Sequence, residues 1–311
     1  MPTNIMSLER LQKALDFQAF YEQKVAQAAD YIKERLSGLK PAFGVVLGSG
    51  LGELAGSIEG AVTIPYSDIP NFPMTTVPGH EGTMFIGTLE GVPVVGMKGR
   101  KHFYEVADGP LNTGMLLTVF PVHVLASLGV ENYFVTNASG GLNPNYKVGD
   151  VMIITSHINH MPNPLLGRHH DFKRVGSQDQ VWRFQPMNGA YDKELTSLLR
   201  DAGFSHDSHV HEGTYMAVTG PTYEAEAEAI AFRDGFKADA VGMSTTPEVI
   251  IARNRGMKAV GFSCITNVVT EDGINATSHE EVKAVLESSE VKNRLTSIVR
   301  KFFRSYQEEN S

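Results

Sequence analysis

Two basic side chains, Arg100 and His102, alternate with bulky residues in the segment 99–105. Alternate residues of an extended chain point to the same side, so the guanidinium and the imidazole can face one ligand together. A guanidinium fork matches the paired oxygens of a phosphate group. The alternative is a basic loop that faces water, as most charged side chains do. On this pattern we predict that Arg100 and His102 bind a phosphate dianion.

The segment 133–141, with the sequence YFVTNASGG, offers backbone groups rather than side chains. Its apolar start predicts a buried strand, and the small residues after Val135 allow a ligand to approach the main chain. In open α/β sheets, ligands bind outside the carboxyl ends of strands. We predict that the strand ends near Val135 and that backbone N–H groups after it can face an anion. A tight strand-to-loop turn is the alternative.

A glycine-rich loop at 48–52 follows a short apolar strand at 43–47. Its spacing matches the relaxed dinucleotide fingerprint GxGxxA, which favours a dinucleotide-dependent oxidoreductase. The acidic residue expected about twenty positions later at the end of a second strand is missing, because Asp68 lies in a proline-rich loop. A simpler role is preferred, in which the Ser49 hydroxyl and neighbouring N–H groups bind one phosphate at a helix start.

Polar side chains also stand where other predicted strands give way to helices. Tyr223 and Glu224 precede a predicted helix, Ser244 begins the next one, and Asn267 ends the last predicted strand. Glu224 could simply favour a helix N-terminus. His279 lies in the first turn of the terminal helix, whose start is marked by a capping box.

Two loops carry further candidates. His80 ends a proline-rich loop, and a lone histidine is more often structural than functional. The long segment 156–187 has the length of a lid, a binding loop or a subunit contact. Its Trp182 and Phe184 are candidates for an interface or an aromatic wall. Its histidines lack the accompanying cysteine or carboxylate pattern of a metal site, so we predict no metal.

The composition is that of a soluble globular protein, with 42% hydrophobic and 20% charged residues among 311. A net charge of −8 argues against nonspecific electrostatic binding of nucleic acid over a broad surface. The single cysteine, Cys264, fits a reducing compartment. The N-terminal residues lack a signal-peptide layout, and no uninterrupted apolar run has membrane-spanning length. We therefore predict a cytoplasmic protein that binds neither membrane nor nucleic acid.

The pattern of elements predicts an α/β fold, a single domain over 1–311 with a central mixed β-sheet flanked by helices. An N-terminal helix is expected at about 8–36 from its apolar spacing. Two strands joined at Glu90 and Gly91 predict a hairpin. After residue 110, strands and helices alternate, and an N-cap is expected at Ser244 or Thr245.

Taken together, six motifs resemble those of the trimeric purine nucleoside phosphorylase family over nearly the whole chain. They are GSGLG at 48–52, VPGH at 77–80, GRKHFYE at 99–105, TNASGGL at 136–142, GMSTTPE at 242–248 and ITN at 265–267. The resemblance implies reversible phosphorolysis of purine nucleosides to free base and ribose 1-phosphate. It also implies that inorganic phosphate is a co-substrate, that no metal or organic cofactor takes part, and that the protein is a homo-oligomer, a trimer by analogy.

The same resemblance implies a role for each matching residue. The residues implied to hold phosphate are Ser49, His80, Arg100, His102, Ala138 and Ser244. Those implied to contact the ribose are Tyr104, Met243 and His279. Those implied to contact the base are Tyr223, Glu224 and Asn267, of which the last two, with His102, are implied to be catalytic. Phe184 is implied to reach into the pocket of a neighbouring subunit.

The residues implied to contact the base predict specificity. A 6-oxopurine presents N1–H to the Glu224 carboxylate, whereas adenine presents a lone pair there, and such mismatches discriminate strongly. We therefore predict inosine, guanosine or their deoxy forms as substrates. A xanthosine-preferring or methylthioadenosine-type phosphorylase and a catalytically silent nucleoside-binding protein are the alternatives. The chain also departs from the family at Tyr223, usually phenylalanine, at Val106, usually glycine, and in a longer segment at 107–117.

Overall fold

The computed structural model describes residues 8–48, 50–76, 82–167, 170–204, 209–275 and 277–311. The strands in these ranges are β1 (Phe43–Leu47), β2 (Glu59–Pro65), β3 (Thr83–Leu89), β4 (Val92–Lys98), β5 (Asn132–Gly141), β6 (Val151–Asn159), β7 (Val210–Ala217), β8 (Ala240–Gly242) and β9 (Lys258–Val268). They form one mixed sheet in the order β2-β3-β4-β1-β5-β8-β7-β6-β9. A further pairing of β5 with β9 closes five of the strands into a ring.

Helices flank this sheet, which confirms the predicted fold class. They are α1 (Leu8–Ala19), α2 (Tyr21–Lys33), α3 (Thr113–Ser127), α4 (Lys193–Gly203), α5 (Glu226–Ile230), α6 (Thr246–Asn254), α7 (His279–Glu287) and α8 (Ser289–Glu309). The predicted hairpin is present as β3 and β4, with Glu90 and Gly91 both at positive φ in its turn. The capping box of the terminal region is also present, because Ser278 accepts a hydrogen bond from the Glu281 backbone at 3.2 Å.

Strand β5 runs through the centre of the hydrophobic core. Since successive side chains of a strand point to opposite faces, its residues alternate between two buried clusters. Tyr133 and Val135 pack into the cluster formed with α2 and α3. Phe134 packs into the other cluster, with its ring centroid 4.9 Å from that of Phe302 in α8. Each fully buried side chain of this size contributes about 1.5–3 kcal/mol to folding.

Strand β5 is longer than predicted, which corrects the expected end near Val135. It continues to Gly141 and pairs with β9 along its whole length. These ladder partners hold small residues extended that would favour a turn in isolation. On the other edge, pairing with β1 stops at Phe134 and pairing with β8 begins at Gly140. The backbone between these two pairings is therefore open to a ligand on that edge.

Three other elements differ from the predictions. The helix expected at about 8–36 is divided into α1 and α2, with a break at Phe20. Strand β2 has no predicted counterpart, because most of its residues are exposed and it lacks a buried alternation. Strand β6 continues to Asn159, so the start of the segment 156–187 is a strand paired with β7 rather than a loop.

Helix α3 is apolar along nearly its whole length. In the described part of the chain, Pro110–Ser127 is a stretch whose length and mean hydropathy of 1.2 would suffice to cross a membrane. The stretch is not an uninterrupted apolar run, because Asn112, Thr113, Thr118 and His123 lie within it. Moreover, 67% of the stretch is buried inside the protein, as expected for a core helix.

Candidate active site

A cavity lies beside the second half of β5, next to the ends of β8 and β9. The predicted site residues that line it are Arg100, His102, Tyr104, Ala138, Tyr223, Glu224, Met243, Ser244, Asn267 and His279. Two other candidates, Ser49 and His80, lie outside the described residues. The predicted phosphate, ribose and base groups thus converge from distant parts of the chain on one cavity.

The turn after β1 is held directly against β5. The backbone N–H of Gly48 donates to Thr136 Oγ1 at 3.2 Å, and that hydroxyl donates to Val46 O at 2.8 Å. A Cβ atom at Gly48 would lie 2.8 Å from Thr136 O, which leaves room only for glycine. This close approach brings the start of the glycine-rich loop to the open edge of β5, beside Ala138.

Arg100 is the buried cation of the cavity. Its Nε lies 2.9 Å from Glu248 Oε2 in an ion pair, and its Nη1 donates to Ser244 Oγ at 3.3 Å. Burial alone would lower the pKa of Arg100, but the charge of Glu248 outweighs it and raises the pKa. Within the described ranges, Nη2 has no hydrogen-bond partner. A buried donor of this kind is costly unless it has a ligand, so Nη2 favours an anion in the cavity.

The start of α6 positions Ser244 beside Arg100. Thr245 precedes the helix, which settles the N-cap at Thr245 rather than Ser244, and its backbone N–H donates to Glu248 at 3.2 Å. Thr245 has φ of +70°, a strained conformation for a branched residue, and its hydroxyl accepts from Asn137 Nδ2 at 2.8 Å. Glu248 also accepts from the Tyr133 hydroxyl at 3.0 Å. Hydrogen bonds to β5 thus hold the strained turn in place.

His102 is fixed by the carboxylate of Glu105. Glu105 Oε1 accepts from the His102 backbone N–H at 2.7 Å and lies 3.3 Å from its Nδ1. The other oxygen, Oε2, accepts from Lys101 Nζ at 3.0 Å and from the Thr76 hydroxyl. Burial alone would raise the pKa of Glu105, but these hydrogen bonds outweigh it and hold the pKa well below its usual range. Glu105 is therefore an ionised anchor for the segment that carries Arg100 and His102.

Replacing Glu105 by glutamine is expected to weaken both folding and activity. The ion pair of Glu105 with Lys101 is buried, and breaking such a pair from one side costs about 3–5 kcal/mol. We expect a lower Tm and a loss of kcat/KM of about tenfold, because His102 loses its anchor. Glu53→Gln removes an exposed pair with Lys292 and should leave both quantities unchanged. Equal effects of the two variants would contradict the anchoring role.

A chain of hydrogen-bonded polar side chains connects Asn267 to Glu224 along the wall of the cavity. Thr266 Oγ1 donates to Asn267 Oδ1 at 3.1 Å, and Asn267 Nδ2 donates to Asn275 Oδ1 at 2.8 Å. Asn275 Nδ2 in turn donates to Glu224 Oε2 at 3.2 Å. Burial raises the pKa of Glu224, although the hydrogen bond from Asn275 opposes the change and Glu228 adds to it. Asn275 was missed from the sequence, because its loop carries no motif.

Tyr104 and His279 line the same cavity. The ring of Tyr104 stacks on that of His102 with centroids 5.0 Å apart, and burial raises the pKa of its hydroxyl to about 12. The hydroxyl is thus a neutral hydrogen-bonding group at physiological pH. His279 begins α7, where the Ser278 N-cap orients the first turn. The sugar contacts that the resemblance implies for Tyr104 and His279 stay a prediction.

Comparison with known proteins places this site in a family. The model of the phosphorylase superfamily matches residues 42–304. Purine nucleoside phosphorylase 1 of Bacillus subtilis is 44% identical over 287 residues, which cover 92% of this chain and 100% of that protein. The chain belongs to the purine nucleoside phosphorylase family. The bovine member of this family is 43% identical over 252 residues, covering 78% of this chain and 82% of that protein.

Solved structures of the purine nucleoside phosphorylase family also match the fold. A Schistosoma purine nucleoside phosphorylase in complex with hypoxanthine has a TM-score of 0.79 at 34% identity, with 91% of this chain and 96% of that chain covered. The Schistosoma mansoni enzyme in complex with inosine has a TM-score of 0.76 at 33% identity, with 89% and 96% covered. The likeness thus extends over most of this chain.

The glycine-rich loop does not lead into an α-helix. The residues after it form a short 3₁₀ helix, Gly52–Ser57, so the expected helix start and the dinucleotide fingerprint both lack their structural context. Together with the family match, this argues against the oxidoreductase alternative. Across the described ranges, no group of three or more His, Cys, Asp or Glu side chains could hold a metal ion.

Phe184 lies on the surface rather than in the cavity, with 85% of its side chain exposed. Its segment is tied to the end of α6, because Asn254 Nδ2 donates to Trp182 O at 2.7 Å. Trp182 in turn lies under the guanidinium of Arg174, 4.1 Å from the ring centroid. An exposed aromatic side chain on an anchored segment suits an interface with another protein chain. The contribution of Phe184 to a neighbouring subunit stays a prediction.

Proposed function

We propose that the protein catalyses the reversible phosphorolysis of purine nucleosides with 6-oxopurine bases, such as inosine and guanosine and their deoxy forms. One observation carries this proposal. The cavity combines a buried guanidinium, whose Nη2 has no protein partner among the described residues, with a carboxylate and a carboxamide suited to a purine edge. The family members compared above are purine nucleoside phosphorylases, which supports the same pentosyl transfer.

Orthophosphate is the attacking reagent in this proposal. Arg100, His102 and Ser244 would hold it, together with the backbone N–H of Ala138, and Ser49 and His80 are proposed to complete the site. A phosphate oxygen forms a bond to C1′ while the bond from C1′ to N9 breaks, and its electron pair leaves with the base. Because the sugar becomes cationic on the way, the phosphate anion stabilises it before capturing it. Holding the two reactants together supplies part of the acceleration.

The departing base needs charge stabilisation at N7 and O6. The Asn267 carboxamide can accept from a protonated N7 and donate to O6, and the Glu224 carboxylate can accept from N1–H. Tyr223 lines the cavity and would stack on the base. Removal of one such group in an acyl-transfer oxyanion site costs about 2.7–4 kcal/mol of barrier, and we expect a similar scale here.

The sugar completes the substrate. Tyr104, Met243 and His279 would contact the ribose hydroxyls, since all three line the cavity. We further propose a cytoplasmic homotrimer that needs no metal or organic cofactor, with Phe184 closing the pocket of the next subunit. Phe184→Ala should raise KM for nucleoside about tenfold, because a base or sugar loses an apolar wall, while the described fold stays intact. Exposed Leu8→Ala is the matched control, and equal KM values in the two variants would contradict the shared pocket.

The pH profile offers a further prediction. Glu224 must be ionised to accept N1–H, so activity is lost as pH falls through its pKa. Because burial raises that pKa, the loss for inosine should begin at a higher pH than the ordinary glutamate value of about 4.3 would give. Glu224→Gln should be less active and should lack this step, whereas the titration of phosphate itself affects both proteins alike. Superimposable profile shapes would remove Glu224 from this role.

A direct assay tests the proposed function. The protein is incubated with inosine, guanosine, xanthosine, adenosine or methylthioadenosine, each with and without phosphate, and the free base is measured. We expect base release from inosine and guanosine only with phosphate present. Preferential cleavage of xanthosine or methylthioadenosine would select one of those alternative substrate classes. Equal cleavage without phosphate would overturn phosphorolysis.

A further inference from the structure

Asn275 connects the two side chains that are proposed to recognise the base. Its Nδ2 donates to Glu224 Oε2 at 3.2 Å and its Oδ1 accepts from Asn267 Nδ2 at 2.8 Å. We infer that Asn275 is a specificity-determining positioning residue, which sets the amide orientation of Asn267 and holds Glu224 for a 6-oxopurine. The inference rests on the proposed function of the cavity and deepens it.

The donors and acceptors around Asn275 fix the orientation of the Asn267 amide. An amide group has a donor end and an acceptor end, and Asn275 uses one toward each neighbour. Asn275 Oδ1 accepts from Asn267 Nδ2, so the Nδ2 end of the Asn267 amide faces Asn275. The Oδ1 end of Asn267 therefore faces Thr266, whose Oγ1 donates to it at 3.1 Å. Asn267 Oδ1 keeps a second lone pair and Nδ2 keeps a second N–H. These are the groups that a protonated N7 and an O6 require.

The loop that carries Asn275 is held in shape by its own hydrogen bonds. The backbone N–H of Thr270 donates to Ile274 O at 3.1 Å, and the Ile274 N–H donates to Thr270 Oγ1 at 3.0 Å. From outside the loop, Arg233 donates to Thr270 O at 3.1 Å and to Glu271 O at 2.9 Å. Asn275 therefore enters the cavity from a braced loop, and its position follows from that bracing.

The same loop packs against the segment that carries Glu224. Gly273 has φ of +84°, and a Cβ atom there would lie 2.4 Å from the backbone oxygen of Glu226. Only glycine fits both the conformation and the contact. Because Glu226 is two residues from Glu224, this contact sets the distance between the carboxylate and Asn275. The hydrogen bond between them is thus supported from the backbone as well as from the side chains.

Substitutions at Asn275 test the inference through substrate preference rather than through stability. Asn275→Ala should lower kcat/KM for inosine about tenfold, because one net hydrogen bond that orients the base groups is lost. The value for adenosine should change less, so the inosine-to-adenosine ratio falls. Asn275→Gln keeps an amide and should recover part of the ratio. Asn293→Ala, at an exposed position in α8, is the matched control.

Asn275→Asp gives a second readout that a purely structural role would not move. The new carboxylate faces Glu224, which already has Glu228 as a charged neighbour and the Tyr223 hydroxyl close by. Two like charges disfavour ionisation of Glu224, so the acid loss of inosine activity should shift to higher pH. Gly273→Ala should lower the inosine-to-adenosine ratio with the Asn275 amide intact.

Failure of the proposed function and failure of the Asn275 role give different results. If the unmodified protein releases no hypoxanthine from inosine with phosphate, the proposed function fails first. The positioning role is overturned if the protein is active but two results hold. Asn275→Ala then keeps the inosine-to-adenosine ratio within about twofold, and Asn275→Asp leaves the pH profile unshifted. A lowered ratio with partial recovery in Asn275→Gln supports it.

Discussion

Replacing Arg100 by lysine should raise KM for phosphate about 10- to 100-fold while the protein remains folded. Lysine keeps one positive charge near Glu248 but loses the planar fork, which contacts Ser244 through Nη1 and offers Nη2 as a donor without a described partner. Hydrogen bonds to a charged group contribute about 1.5–3 kcal/mol each, which gives a change of this size. Saturation kinetics with phosphate at fixed inosine measure the effect, and thermal unfolding shows that the fold is retained.

The buried ion pair of Arg100 with Glu248 decides which control variant this experiment needs. Arg100→Met alone would leave Glu248 buried without its cation, so loss of folding could imitate loss of phosphate binding. The double variant Arg100→Met, Glu248→Gln removes both charges, while the Tyr133 hydroxyl still has a partner for its hydrogen bond. We expect this folded double variant to have negligible phosphorolysis. Normal KM for phosphate in Arg100→Lys would show that the anion binds elsewhere.

Asn267→Asp should change the preferred base. An aspartate no longer donates to O6, so kcat/KM for inosine should fall by about 10²–10³, the range seen when one donor to a developing charge is removed. Toward adenosine, a carboxylate at this position accepts from the 6-amino group, so the adenosine-to-inosine ratio should rise. The structure adds a second reason. Asn275 Oδ1 loses the hydrogen bond that Asn267 Nδ2 donates to it, so the Asn275 amide can turn its N–H toward the new carboxylate.

Paired assays with both nucleosides measure this ratio, with exposed Asn293→Asp as the charge-matched control. An unchanged ratio would mean that Asn267 does not face the 6-position of the base. A parallel loss for both nucleosides would assign Asn267 to N7 alone. The result expected from the present site is a rise in the ratio that Asn293→Asp does not share.

Short motifs predicted most of the residues that line the cavity. Each motif lies where a strand ends, and these strand ends lie close together in the sheet. Arg100, His102, Ser244 and Asn267 come from three separate segments, and all of them line one cavity. The length of β5 was not predictable in the same way. Its residues after Val135 have the composition of a turn, and the partners in β9 that keep them extended are more than a hundred positions away.

Asn275 illustrates what the sequence leaves open. It lies in a polar loop without a motif, and its significance arises only when that loop meets Glu224 and Asn267 in space. Strand β2 was missed for a related reason, since an exposed strand has no buried alternation to reveal it. Contacts between distant segments, rather than local preference, decide both cases.

The ring formed by β5, β8, β7, β6 and β9 has a consequence for behaviour in concentrated solution. Strands within the ring are paired on both sides over most of their length, and the open stretch of β5 faces the cavity, so they are poorly placed to recruit a strand from another molecule. In the part of the sheet that is described, β2 is the terminal strand opposite the ring. It bears Glu59 and Pro65 and a register shift after Glu59, all of which discourage edge-to-edge growth. The features of β2 therefore protect this described edge of the sheet from β-mediated pairing with another molecule.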